Sequence, residues 1–138
     1  MDADALLDFL AAEFPQALSF GFDIEAVEHD RLLLSLPTGE VHLRPGGTVS
    51  GPTLMTLADT AAYLFLLSRL GPVALAVTTS IECHFLRKAP PGCLHATATP
   101  LKIGRRLAVV SVSLTAEGVD GPVGHATVTY AIPRTATT

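Results

Sequence analysis

Gly51-Pro52-Thr53-Leu54-Met55-Thr56-Leu57-Ala58-Asp59-Thr60-Ala61-Ala62-Tyr63-Leu64-Phe65-Leu66-Leu67 is the most apolar stretch of the chain, and it carries a carboxylate at its centre. Pro52 suits the first turn of a helix, where its missing N–H costs nothing. Gly71-Pro72 is a stop signal. The run is shorter than the ~20 apolar residues a membrane span needs, and Asp59 interrupts it. It therefore predicts a long buried helix from Gly51 to about residue 70. Apolar side chains surround that helix except for one narrow stripe: Thr56, Asp59, Thr60 and Tyr63. Their spacing places all four on one helical face. An ionised carboxylate is costly to bury without a partner, so Asp59 is either paired or used.

Outward from this helix the pattern is mixed. Upstream, Leu6, Leu7, Phe9, Leu10 and Phe14 fall at helical spacing, with Asp2 or Asp4 placed to cap and Pro15 as a stop. Two strands are expected near 21–28 and 31–37, joined by a tight turn at His29-Asp30. A loop from Thr38 to Ser50 contains the breaker Pro45-Gly46-Gly47. Downstream of Pro72 the period becomes two. Val73, Leu75, Val77, Thr79, Ile81, Cys83 and Phe85 share one expected face, and Ala74, Ala76, Thr78, Ser80, Glu82 and His84 the other. Strands follow at 93–103, 106–116 and 122–132, and residues 134–138 are expected to fray. Four strands in a row predict hairpin links and an antiparallel sheet. A helix this apolar needs a sheet curved around it. The expectation is one α+β domain spanning residues 1–138.

Composition narrows the function classes. The chain has 138 residues, of which 49 % are hydrophobic and only 16 % charged, which suggests further burial between subunits. A net charge of −4 gives no basic field for nucleic acid. Cys83 and Cys93 lack metal-ligand spacing, and the five histidines offer no metal-binding pair. Reduced thiols, an acidic N-terminus and no membrane segment point to a cytoplasmic protein with no metal.

Two residues form the leading chemical constellation. A helix start presents free N–H groups and partial positive charge, which suit an oxyanion or a polarised carbonyl. Glycine at position 51 lets a ligand approach that backbone. Asp59 would then be a general base or nucleophile. The two lie eight residues apart, about 12 Å along the axis at ~1.5 Å per residue. One helix cannot easily bring both to one reacting carbon. Two antiparallel copies solve this, with Gly51 of one chain facing Asp59 of the other. The alternative is that Gly51 merely starts the helix while Asp59 caps a loop or pairs with an arginine.

The stretch Gly46-Gly47-Thr48-Val49-Ser50-Gly51-Pro52-Thr53-Leu54-Met55-Thr56-Leu57-Ala58-Asp59-Thr60-Ala61 resembles the helix-start motif of hotdog-fold acyl-CoA thioesterases, most closely the phenylacetate-pathway type. Val77-Thr78-Thr79, Phe85-Leu86-Arg87 and Gly104-Arg105-Arg106 are weaker matching pieces. The resemblance covers residues 15–133 and implies a curved antiparallel sheet wrapped around the helix. It also implies thioester hydrolysis at a site shared between subunits of a homodimer or homotetramer. Asp59 matches the catalytic carboxylate and Gly51 the backbone donor. Thr78 falls where the family often has a hydroxyl that positions water. No cofactor is implied beyond the coenzyme A of the substrate.

Two departures stand out. Family members often carry His-Gly-Gly where this chain has Ser50-Gly51-Pro52, and an Asn where it has Arg44 or Pro45. Ser50 and Tyr63 are candidate substrate contacts, and Arg105 and Arg106 are candidates for coenzyme phosphates. Glu82 and His84 form a further acid/base candidate of the dehydratase or hydratase kind. A non-catalytic thioester-binding module is the remaining alternative.

Overall fold

In the computed structural model, which describes residues 1–133, the expected helix runs from Gly51 to Leu70 (α3) and lies across a six-stranded antiparallel sheet. Before it come α1 (Ala3–Glu13), α2 (Pro15–Leu18), β1 (Asp23–Val27) and β2 (Leu32–Pro37). After it come β3 (Val77–Phe85), β4 (Cys93–Ile103), β5 (Leu107–Ala116) and β6 (Gly124–Ala131). The tail expected to fray, residues 134–138, lies outside the described residues.

Local chemistry explains the helix boundaries. Ser50 is the N-cap, its Oγ accepting from the Thr53 N–H at 3.3 Å. Such a cap contributes about 1 kcal/mol. At the other end Gly71 takes φ +85°, a conformation that favours glycine. Its N–H still donates to the Leu67 carbonyl at 2.9 Å. Upstream, Pro15 both ends α1 and opens the short α2, which redirects the chain rather than releasing it as a loop.

Leu57, Ala58, Ala61, Leu64 and Phe65 of α3 are fully buried against the sheet. The inward sheet residues alternate as a period of two requires: Ala108, Val110, Val112 and Leu114 from β5 with Ala126, Val128 and Tyr130 from β6. Alanines beneath the helix let it approach the sheet closely. This is a hotdog fold.

The strand order is β1-β2-β4-β5-β6-β3. The expected hairpin between the third and fourth strands is therefore absent. β3 pairs with β6 at one edge, and β4 lies in the middle between β2 and β5. The linker Ala89-Pro90-Pro91-Gly92 contains two stiff prolines that do not suit a two-residue hairpin. It instead carries the chain across the end of the sheet, where the Thr38 N–H donates to the Gly92 carbonyl at 3.0 Å.

The long strand is also shorter than its period suggests, since residues 73–76 form a turn before β3. A bulge then breaks its alternation. Thr78 faces Tyr130 and Ser80 faces Thr129, leaving Thr79 as the extra residue. Ile81 and Cys83 face Val128 and Ala126, both inward. Thr78 thus lies on the same face as Ile81, opposite to the sequence expectation.

Candidate functional site

All four residues of the polar stripe on α3 line one cavity of about 770 Å³. Leu10 and Glu13 of α1, Gln16 and Ala17 of α2, and Phe14 and Phe20 just outside those helices form its opposite wall. Ala74, Ala76, Thr78, Ile81 and Tyr130 close it from the sheet side. Thr56 and Thr60 turn their hydroxyls back to the Pro52 and Thr56 carbonyls, so the helix satisfies them itself.

Asp59 is held by the sheet. Its Oδ1 accepts from Thr78 Oγ1 at 2.8 Å and from the Tyr130 hydroxyl at 2.6 Å. Tyr130 lies 3.1 Å from the Asp59 carbonyl oxygen as well, but one phenol proton serves one strong bond and the shorter contact is to the carboxylate. Among the described residues no cation pairs with Asp59 and no donor reaches Oδ2. The pairing with an arginine left open from sequence is thus replaced by two neutral hydroxyls. Burial, reinforced by the Asp59 charge, pushes the Tyr130 phenol far above its usual range, so it stays a proton donor.

Tyr63 stacks on Tyr130 with ring centroids 6.1 Å apart and meets Phe14 edge-on at 6.2 Å. Its hydroxyl donates to the Ala74 carbonyl at 3.3 Å. Burial, then the nearby Glu13 charge, pushes its phenol pKa above the usual tyrosine value too.

The remaining candidates lie elsewhere. Gly51 starts α3 beyond the cavity, with the Phe85 ring packed near its Cα. Among the described residues its N–H has no partner. Ser50 Oγ is engaged twice, by the Thr53 N–H and by Thr53 Oγ1 at 2.8 Å. Arg105 and Arg106 are exposed on the β4–β5 turn and do not line the cavity. Gly104 is required in that turn, because a Cβ there would sit 2.8 Å from the Leu107 carbonyl oxygen. Glu82 and His84 are 3.4 Å apart on the β3 edge, with side chains 74 % and 62 % exposed, outside the cavity.

Two parts of the cavity escaped the sequence reading. Tyr130 carries a signal in its pattern, as a tyrosine among inward aliphatic residues needs a partner for its hydroxyl. The α1–α2 wall carries none, because helical periodicity says which face is apolar but not what it covers.

Residues 46–122 match the family model of the thioesterase superfamily. No curated protein sequence matches the chain. Among solved structures, a candidate thioesterase from a Silicibacter species is 44 % identical, with 97 % of this chain and 93 % of that one covered and a TM-score of 0.87. A candidate thioesterase from Ralstonia eutropha, related to phenylacetic acid degradation, is 26 % identical over 93 % of this chain and 99 % of that one, with a TM-score of 0.80. Zebrafish thioesterase superfamily member 2 shares the fold, at 20 % identity and a TM-score of 0.79 over 95 % of each chain.

Proposed function

We propose, from the premise that the chain belongs to the thioesterase superfamily and is a thioester hydrolase, that its substrate is an acyl-CoA and that Asp59 drives the reaction. The observation that carries this reading is a carboxylate fixed by two hydroxyls at the wall of a largely apolar cavity. That cavity falls within the range of small-molecule sites, roughly 300–1,000 Å³. It would take the acyl group, with Tyr63 as part of its wall.

In the proposed mechanism Asp59 removes a proton from water, and the oxygen attacks the thioester carbonyl carbon. The carbonyl π electrons move to oxygen and form a tetrahedral oxyanion. Collapse breaks the C–S bond, and the thiolate leaves with the proton returned from Asp59. Attack by Asp59 itself, through an acyl-carboxylate intermediate that water then opens, uses the same atoms. The Gly51 N–H would stabilise the oxyanion. It lies about 12 Å along α3 from Asp59, so the donor for this Asp59 comes from a second chain. The free edge of β3 supports such pairing. Residues 1–138 would act as one domain within a homodimer or homotetramer. Arg105 and Arg106 on their exposed turn would meet coenzyme phosphates at the rim. Unbridged Cys83 and Cys93 support a cytoplasmic setting. Among the described residues no helix is long and apolar enough to cross a membrane.

The test is a panel of acyl-CoA substrates with free thiol as the readout, run on the parent and Asp59→Asn. Loss of a general base should lower kcat by about 100- to 10,000-fold. Hydrolysis unchanged in Asp59→Asn would overturn the mechanism. Acyl-CoA binding without turnover by the parent would favour a binding module instead.

A further inference from the structure

We propose that Tyr130 is a positioning residue, which with Thr78 pins Oδ1 of Asp59 and leaves Oδ2 as the oxygen that reacts. This inference rests on the hydrolytic reading of Asp59 above.

The geometry that supports it is a convergence of two strands on one atom. Thr78 and Tyr130 are direct partners in the β3–β6 register. The Thr79 bulge is what turns Thr78 inward to meet Tyr130. Both hydroxyls then donate to the same oxygen, at 2.8 and 2.6 Å. A carboxylate rotates through a broad, two-fold torsion. Two donors on one oxygen, each carried by a neighbouring strand, remove that freedom. Oδ2, with no donor among the described residues, is left to take the proton.

The environment suits a device of this kind. Tyr130 is buried, and its ring is held against Tyr63. A buried tyrosine hydroxyl needs only some acceptor, and the Asp59 carbonyl oxygen lies within reach at 3.1 Å. The shorter bond nevertheless goes to the carboxylate. Hydrogen bonds to charged groups are the strong class, so their removal should be felt in the rate.

The experiment compares the parent, Tyr130→Phe and Asp59→Asn on one acyl-CoA substrate, with near-ultraviolet circular dichroism as a check on folding. Tyr130→Phe should lower kcat by about 10- to 100-fold, while KM stays within about twofold. An unchanged kcat, or a raised KM with kcat intact, would overturn the proposal. The second outcome would mark Tyr130 as a wall residue. Replacement of Tyr130 by a ring-fluorinated tyrosine keeps the ring shape and strengthens the donor. It should shift kcat, and no shift would overturn the proposal independently of any folding loss in the phenylalanine variant. Full activity in Asp59→Asn would sink the reading of Asp59 on which this inference rests. An inactive Asp59→Asn beside a fully active Tyr130→Phe would sink only the role of Tyr130.

Discussion

Thr78→Val separates hydroxyl chemistry from packing. The two side chains are nearly isosteric, and valine keeps the β-branching that suits a strand. The change deletes one 2.8 Å bond to Asp59 Oδ1 and leaves the 2.6 Å bond from Tyr130 in place. Hydrogen bonds to charged groups contribute about 1.5–3 kcal/mol. Thr78 and Asp59 are both only partly buried, so water can compensate and the lower end applies. About 1.4 kcal/mol corresponds to a tenfold fall in kcat. KM should stay within about twofold, because the bond holds Asp59 rather than the wall proposed for the acyl group. Stability should fall by about 1.5 kcal/mol, a shift of a few degrees in Tm for a domain of this size. Steady-state release of free thiol from an acyl-CoA measures the first two quantities, and thermal unfolding the third. Thr78→Ser retains the hydroxyl and should recover kcat to within about threefold of the parent. A valine variant as fast as the parent would refute the role of the bond. A serine variant as slow as valine would show that the methyl group matters and the hydroxyl does not.

Ser50→Ala removes the α3 cap and should destabilise the protein by about 1 kcal/mol in urea unfolding. Glu82→Gln should leave hydrolysis within about twofold of the parent, since Glu82 is 74 % exposed and outside the cavity. A large loss there would revive the hydratase-like reading. Alkaline pH should destabilise the fold. Burial first, then the Asp59 charge, raises the Tyr130 phenol in the folded state, while unfolded tyrosines ionise near pH ~10. A raised folded value means stability is fully present below the unfolded value and is lost as pH climbs above it. The urea midpoint should therefore fall above about pH 10, and Tyr130→Phe should flatten that decline.

What was legible in the sequence was what is local. The polar stripe of α3 depends only on the pitch of one helix, and all four of its residues do line the cavity. The separation of Gly51 from Asp59 is likewise a property of a rigid rod, readable from their numbers. The partners of Asp59 are different, because Tyr130 is 71 residues away in the chain and no local period reports it. Thr78 shows a subtler failure. A period of two assigns every residue a face, and a single extra residue inverts the assignment on one side of it. Ile81 and Cys83 kept their expected inward face, while Thr78, beyond the bulge, changed sides. Thr79-Ser80 reads as ordinary strand, with no glycine or proline to mark the break.

That inversion bears on the loop before α3. The resemblance to thioesterases set Ser50-Gly51-Pro52 against the usual His-Gly-Gly, and Arg44 or Pro45 against an Asn, with Ser50 as a candidate substrate contact. Ser50 Oγ accepts from the Thr53 N–H and pairs with Thr53 Oγ1, whose own hydroxyl is 3.3 Å from the His42 carbonyl. The loop's polar capacity at that point is thus turned toward holding the helix start. The hydroxyls that reach the carboxylate come instead from β3 and β6, one delivered by a bulge and one by a buried tyrosine. Sheet-borne donors are fixed by the core packing around them, so they hold Asp59 more rigidly than a loop would. If Asp59 acts as proposed, the altered loop should affect grip on the thioester carbonyl more than the orientation of Asp59. Ser50→His should then change KM more than kcat in the free-thiol assay, and a change confined to kcat would count against this division of roles.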